Sequence, residues 1–321
     1  MKYFVKLLLI CMVSCILSGC NFKAQEPISK TGFYFDTVIS ITIYDSNDET
    51  LLEQCFTYCE ELENLLSRTI PTSDISRINS AAGAPVTVSD TTIELLKQGI
   101  YYGQLTDGAF DITVAPLSDV WNFKENTGIL PTEHAITEAL SHVSYKTIQI
   151  NGNTVTLTDP ETAIDLGGIA KGYIADVLKE FLKSKGVKSA LIDLGGNILT
   201  LGTKPDGTAF QIGIKKPFDT KEVITSVSAS DLSVVTSGSY ERYFEVDDVK
   251  YHHILDTENG YPASTGLLSV TILSEKSIDG DALSTSCFAL GLEKGRSLID
   301  SLEGIDAIFI TEDYKVIDTR K

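Results

Sequence analysis

Apolar and polar positions repeat with two different periods along this chain. From Phe35 to Tyr44, β-branched and apolar residues recur at every second position, which predicts a half-buried strand. The period then lengthens. Leu51-Leu52, Cys55-Phe56, Cys59, Leu62 and Leu65-Leu66 recur at three and four residues, predicting an amphipathic helix that ends near Arg68 and keeps a Glu-rich face in water. Ser73 to Asn79 reads as a polar loop with a short helical turn, and Ser89-Asp90 caps a second helix running to about Leu105. The turn-forming patch Thr106 to Thr113 stands immediately before Val114-Ala115-Pro116. It admits two readings, a plain loop between a helix and a strand, or an aromatic flanked by acids that lines a pocket. Trp121 to Pro131 shows no period, and Glu133 to Leu140 reads as a short helix. Two alternating runs from Ile148 to Leu157 flank Asn151-Gly152, the signal for a type I′ hairpin, and a strand is expected to lead into Asp165.

In the second half, a helix whose first turns are Tyr173 to Leu178 reaches about Lys185, and a β-like run leads into Ile192-Asp193-Leu194-Gly195-Gly196-Asn197, a glycine turn between strands. Strand-like runs follow at Phe210 to Ile214, Ser226 to Leu232, Tyr243 to Val246 and Lys250 to Leu255. His252 and His253 are adjacent, so on a strand they face opposite ways and at most one enters a site. Leu267 to Leu273 is a fully apolar strand, a helix with acids in its first turn begins at Asp279, and Ala307 to Asp318 reads as a hairpin.

The first residues belong to a different class of segment. Lys2 and Lys6 precede an apolar run from Leu7 to Leu17 that is short for a bilayer span and fits the h-region of an export signal. It ends in Leu17-Ser18-Gly19-Cys20, which resembles the bacterial lipoprotein box. That resemblance implies a signal peptide over residues 1–19, lipidation at Cys20, and a short polar tether over 20–31 that leaves acyl chains to hold the protein at the cell membrane, outside the cytoplasm. The remaining cysteines are Cys55, Cys59 and Cys287, an odd number that argues against a disulfide framework; Cys55 and Cys59 read as core residues. With 321 residues and a formal charge of −18, the chain can bury a large core but offers no basic face for nucleic acid.

Candidate chemistry concentrates in two stretches. In Ile164-Asp165-Leu166-Gly167-Gly168-Ile169-Ala170-Lys171-Gly172, glycines free the backbone to approach an anion, a helix N-terminus follows, and Lys171 adds a point charge. The segment is neither a Walker sequence nor the dinucleotide fingerprint, and a tight strand-to-helix turn with a solvated lysine accounts for it equally well. In the second stretch, Asp281 and Thr285 lie one above the other on a helix face. Both are hard oxygen donors suited to Mg²⁺; the alternative is an acid complementing the helix dipole beside an incidental threonine.

Taken in order, Thr106-Asp107-Gly108-Ala109-Phe110-Asp111, Asp165 to Gly172, Asp193-Leu194-Gly195-Gly196-Asn197, Thr236-Ser237-Gly238-Ser239-Tyr240, His253-Ile254-Leu255-Asp256 and Asp281-Ala282-Leu283-Ser284-Thr285 resemble the motifs of the FAD:protein FMN transferase (ApbE-type) family. The resemblance covers a catalytic domain over residues 32–321. It implies an α+β fold related to the tunnelling fold, with mixed sheets, packed helices and a central FAD cleft. It further implies a Mg²⁺-dependent transfer of the FMN half of FAD to a threonine of an acceptor flavoprotein carrying an Asp-x-x-Thr type motif, with AMP leaving. Carried over by position, Phe35, Ala109, Phe110, Asp111, Asp165, Lys171 and Ile254 would contact FAD, while the Gly168 carbonyl, Asp281 and Thr285 would hold the metal. Lys171 would neutralise charge at the phosphates, and His253, whose ordinary pKa suits the task, is the candidate base. Where relatives place a tyrosine over the flavin, this chain has Thr69-Ile70. The acceptor pattern begins at Asp159-Pro160-Glu161-Thr162 but is broken by Ala163-Ile164, so the acceptor is expected to be another protein. Two rival activities use the same cleft: hydrolysis of FAD to FMN and AMP, and flavin binding without catalysis.

Overall fold

The computed structural model describes residues 26–123, 125, 128–219 and 221–320. The signal segment and Cys20 lie outside the described residues. In chain order the strands are β1 (Ile28–Tyr34), β2 (Thr37–Ile43), β3 (Val86–Thr87), β4 (Ile148–Asn151), β5 (Thr154–Leu157), β6 (Ala190–Leu194), β7 (Asn197–Leu201), β8 (Phe210–Lys215), β9 (Val223–Ala229), β10 (Ser233–Gly238), β11 (Tyr243–Val246), β12 (Val249–His252), β13 (Leu267–Ser274), β14 (Asp306–Thr311) and β15 (Val316–Asp318). The helices are α1 (Thr50–Leu66), α2 (Asp74–Asn79), α3 (Asp90–Leu105), α4 (Ala115–Trp121), α5 (Glu133–Ser141), α6 (Ala170–Ser184) and α7 (Ser277–Asp300).

An 8-stranded sheet in the order β1-β2-β6-β7-β10-β13-β14-β15 organises the molecule, and each neighbouring pair in it runs antiparallel. Alternation along a strand assigns its two faces. In β14, Ala307 and Phe309 join the main core with α1, α6 and α7, whereas Ile308 and Ile310 face the β8–β9 ribbon with Phe210, Ile212 and Val227. Each Ile, Val or Phe among these taken fully out of water contributes about 1.5–3 kcal/mol before conformational entropy is subtracted. A third cluster joins α4 and α5 to the β11–β12 ribbon through Leu117, Trp121, Ile136, Phe244 and Leu255. This is the expected α+β architecture.

α1, α3 and α5 form where the sequence pattern places helices. The apolar stripe of α1 buries Leu51, Leu52, Cys55, Phe56, Cys59, Leu62 and Leu66, and Ser89 caps α3 by accepting from the Thr92 N–H at 3.1 Å. Burial pushes the Cys55 and Cys59 thiols up to about 12, in keeping with core roles.

Several local expectations are corrected. β1 starts at Ile28, so residues 28–31 of the expected tether are strand, paired with β2. Phe35 and Asp36 do not continue a strand; both take positive φ (53° and 56°) in the turn between β1 and β2. Val114-Ala115-Pro116 leads into helix α4 rather than a strand, because proline in the first turn loses no helical hydrogen bond. No strand leads into Asp165; Ala163 makes a single parallel bridge to Val114. The β4–β5 turn centres on Gly152-Asn153, and of the two only Gly152 has positive φ, the pattern of a II′ turn rather than I′. The run at Ser226 to Leu232 is β9, ending at Ala229, and β12 ends at His252 instead of Leu255.

Candidate active site

The loop between Ile164 and α6 is tied down before any ligand is considered. The Asn79 side chain pairs with the Ile164 backbone in both directions, donating to its carbonyl at 2.9 Å and accepting from its N–H at 2.7 Å. The Asp165 N–H donates to the Ile112 carbonyl at 2.7 Å, and Asp165 Oδ1 accepts from Gly167 N–H at 2.8 Å. Arg68, at the end of α1, donates to Asp165 Oδ2 at 3.2 Å and also pairs with Asp119. Nothing in the sequence periodicity singles out Arg68 or Asp119 for this role.

α6 carries Lys171 in its first turn. Its Nζ donates to the Gly167 carbonyl at 3.0 Å and reaches Asp281 Oδ1 at 3.2 Å. Ile169, the N-cap of α6, supplies no side-chain cap, and the Gly172 N–H is instead satisfied by Asp281 Oδ2 at 2.9 Å. The two helices touch through backbone at this point. A Cβ on Gly172 would lie 2.4 Å from the Ser277 carbonyl oxygen, so only glycine permits the approach. Among the described residues, no N–H donates to the Gly168 carbonyl.

Thr285 stands one turn beyond Asp281. A Cβ on Gly168 would meet Phe110 Cε2 at 3.1 Å and Thr285 Oγ1 at 3.7 Å, which brings the Thr106–Thr113 turn, the glycine loop and α7 to one place. Ser237, in β10, adds a hydroxyl 3.1 Å from Thr285 Oγ1 and 2.9 Å from Ser284 Oγ. Phe110 is buried and packs edge-on to Tyr102 at 6.1 Å. Ala109 donates its N–H to the Thr106 carbonyl at 3.1 Å, and Thr257 Oγ1 donates to the Gly108 carbonyl at 2.7 Å, linking this turn to the histidine segment. The Asp111 carboxylate is spent within the fold: Oδ1 accepts from Thr113 N–H and Oγ1 at 2.8 and 2.6 Å, and Oδ2 from Tyr145 N–H at 2.7 Å. Burial raises its pKa against those bonds.

The two histidines have different partners. His252 is buried edge-on to Phe288 at 5.3 Å; its Nε2 donates to the Ala263 carbonyl at 3.1 Å and its Nδ1 accepts from Ile254 N–H at 3.3 Å, so both nitrogens are occupied. The Ile254 side chain sits in the main core. His253 Nδ1 lies 3.2 Å from the Arg242 carbonyl, which can only accept, so Nδ1 carries the proton and Nε2 the lone pair. Its pKa is not ordinary. Burial, then the charge of Arg242, pushes it down to about 4, with His252 and Lys171 acting in the same direction. Phe35 is held by its N–H, which donates to Glu63 of α1 at 2.6 Å, and its ring packs on the main core.

Phe110, Gly168, Lys171, Asp281 and Thr285 therefore converge, with Asp165 at the start of the same loop. The Gly168 carbonyl, Thr285 hydroxyl and Asp281 carboxylate are a hard-oxygen donor set that fits Mg²⁺ with water and substrate completing its shell. Among the described residues, no group of three or more His, Cys, Asp or Glu side chains is arranged to hold a metal.

The sequence profile of the ApbE family matches residues 35–309. An FAD:protein FMN transferase of Treponema pallidum is 34% identical over 330 residues, spanning 96% of this chain and 91% of its own length. One from Klebsiella pneumoniae is 40% identical over 276 residues, 85% of each chain. The crystal structure of the ApbE protein of Thermotoga maritima superposes with a TM-score of 0.85 at 32% identity, covering 92% of this chain and 97% of that one. The flavin transferase ApbE of Vibrio cholerae gives 0.82 at 27% identity, covering 91% and 96%. On these matches the chain belongs to the ApbE family of FAD:protein FMN transferases, enzymes that take flavin from FAD and attach it to acceptor proteins.

Proposed function

We propose that this transferase moves the FMN half of FAD onto a threonine hydroxyl with Mg²⁺ as its cofactor. The observation that supports this most directly is the meeting of Lys171 and Asp281 at the glycine loop, with Thr285 against Gly168. The Gly168 carbonyl, Asp281 and Thr285 would hold Mg²⁺, which when bound supplies Lewis-acid neutralisation of the phosphoryl oxygens. Lys171, whose Nζ lies 3.2 Å from Asp281 Oδ1, would contact the pyrophosphate. The acceptor threonine oxygen forms a bond to the FMN-side phosphorus, the bond from that phosphorus to the bridging oxygen breaks, and AMP departs. His253 Nε2 takes the threonine proton. Its low pKa keeps it neutral at physiological pH and makes it a weak base, so positioning and charge neutralisation carry most of the rate. Asp165, held by Arg68, and the Ala109-Phe110-Asp111 backbone contact the dinucleotide; Phe35 and Ile254 complete the assignment, acting through the hairpin turn and the core packing behind His253.

The chain is not its own acceptor on this reading. Thr162 is 1% exposed and its hydroxyl is committed to the His142 carbonyl at 2.8 Å, which supports an Asp-x-x-Thr motif on another protein. Export and lipidation at Cys20, with the enzyme held at the outer face of the cell membrane, rest on Lys2, Lys6, the Leu7–Leu17 run and Leu17-Ser18-Gly19-Cys20. Incubation with FAD, Mg²⁺ and an acceptor domain tests the activity: covalent flavin on the acceptor supports transfer, free FMN with AMP indicates a pyrophosphatase, and unchanged FAD indicates binding alone. Labelling with radioactive palmitate, lost in Cys20→Ser, tests the anchor.

A further inference from the structure

The two helices that meet at the loop exchange caps. α7 begins after Lys276, which offers no capping side chain, just as Ile169 offers none to α6. The missing acceptor for α7 is Asp176 of α6. Its Oδ1 and Oδ2 accept from the backbone N–H groups of Ser277 and Ile278 at 2.8 and 2.9 Å. One turn into α7, Asp281 returns the arrangement by accepting from the Gly172 N–H at 2.9 Å. The bare backbone at Gly172 lets the two N-termini close on each other.

We propose that Asp176 is a positioning residue for catalysis: by holding the first two amides of α7 it sets where Asp281 and Thr285 stand relative to Lys171 and Gly168. This inference rests on the assignment of Asp281 and Thr285 to the phosphate end of FAD. Its carboxylate grips two consecutive amides with both oxygens, which fixes the rotation of α7 as well as its approach. Asp176 is half-buried, and the acid beside it, Asp279, is engaged by the Tyr102 hydroxyl. Ser277 is held on its other side by Asn197, through a hydroxyl bond of 2.6 Å, so the start of α7 is registered against both α6 and the sheet.

The test compares Asp176→Asn, Asp176→Glu and Asp281→Asn by calorimetric titration with FAD, with and without Mg²⁺, alongside thermal melts. Asparagine can accept one amide but presents N–H to the other. Asp176→Asn is expected to weaken FAD binding roughly tenfold in the presence of Mg²⁺, the loss of one charge-assisted contact, and to change it little without Mg²⁺. Asp176→Glu, which keeps both oxygens, is expected to recover part of the Mg²⁺ response. If Asp176→Asn melts lower yet keeps the full Mg²⁺ gain while Asp281→Asn loses it, the positioning role is refuted and the phosphate-end assignment stands; if Asp281→Asn also keeps the gain, that assignment itself fails. Should the Asp176 variants not fold, hydrogen exchange on the unaltered protein decides: protection of the Ser277 and Ile278 amides rises on addition of FAD and Mg²⁺ if Asp176 couples them to the site, and an unchanged exchange rate overturns the proposal.

Discussion

Replacing Gly172 by alanine puts one methyl group into the contact between α6 and α7. That methyl would stand 2.4 Å from the Ser277 carbonyl oxygen and 2.7 Å from Ile278 Cα, both backbone atoms that cannot rotate away. Carbon contacts settle near about 3.5 Å, so the helices must part by roughly 1 Å. Two terms act on stability in opposite directions. Alanine gains about 1 kcal/mol over glycine within a helix, and overpacking costs about 1–3 kcal/mol, leaving a net loss of at most about 2 kcal/mol and a melting temperature lower by a few degrees. Catalysis is less forgiving. The same displacement lengthens the 2.9 Å contact from Gly172 to Asp281 and moves Lys171 away from its partner. A misplacement of about 1 Å costs on the order of 100-fold in rate. In-gel flavin fluorescence of an acceptor domain gives the rate, and circular dichroism confirms folding. A folded Gly172→Ala enzyme working within about threefold of the parent would show that the helix contact does not set the site.

Three further outcomes are expected. Asp281→Asn should abolish Mg²⁺-dependent transfer while retaining FAD binding in the absence of metal; full activity under Mg²⁺ would remove Asp281 from the metal assignment. Because His253 is held near 4, below its ordinary value, it stays neutral and proton-accepting over about pH 6 to 8 and its protonation appears only as pH falls toward the folded value. The kcat profile on the acid side should therefore be flat down to about pH 5, and His253→Ala should lower kcat on the order of 100-fold or more; an acid limb centred on an ordinary histidine value would contradict the burial. Asp74→Ala should destabilise the fold by about 2–4 kcal/mol in urea titrations, since Asp74 is buried and accepts from Ser89 N–H at 2.9 Å, Thr92 Oγ1 at 2.8 Å and Arg77. Burial opposes its ionisation but those bonds win and lower its pKa, so the stabilisation is present above the ordinary carboxylate value and is lost as pH falls through the lower folded one; an unchanged urea midpoint would refute the count.

What could be read from residues alone follows from how local each signal is. α1 was legible from its amphipathic stripe, and α3 and α5 from a stripe joined to a capping Ser89 or Thr132, because these signals are all short-range. β10 was not, although it lies in the middle of the sheet. Ser233-Val234-Val235-Thr236-Ser237-Gly238 is covered on both faces, so it lacks the alternation that marks a half-buried strand, and its end is a polar glycine motif. The motifs named Phe110, Gly168, Lys171, Asp281 and Thr285, which do converge. They gave no hint of Arg68 on Asp165, Ser237 on Thr285 or Asp176 on α7, because each of those is an ordinary polar residue on a helix end, strand or helix face whose partner is fixed only by tertiary packing. The altered pKa of His253 was hidden for the same reason, since desolvation depends on what the fold lays over the ring.

The pairing of Lys171 with Asp281 spans 110 positions of the chain, and it carries a kinetic consequence. Closing so long a loop costs entropy before any contact rewards it, so the junction of α6 and α7 should be among the later events in folding. On the proposed assignment of Lys171 and Asp281 to the pyrophosphate, a partly folded chain with β1, β2, α1 and the glycine loop would not yet grip the dinucleotide. Competence to handle FAD would then arrive with the docking of α7, and flavin capture by a refolding chain would become a clock for that last step.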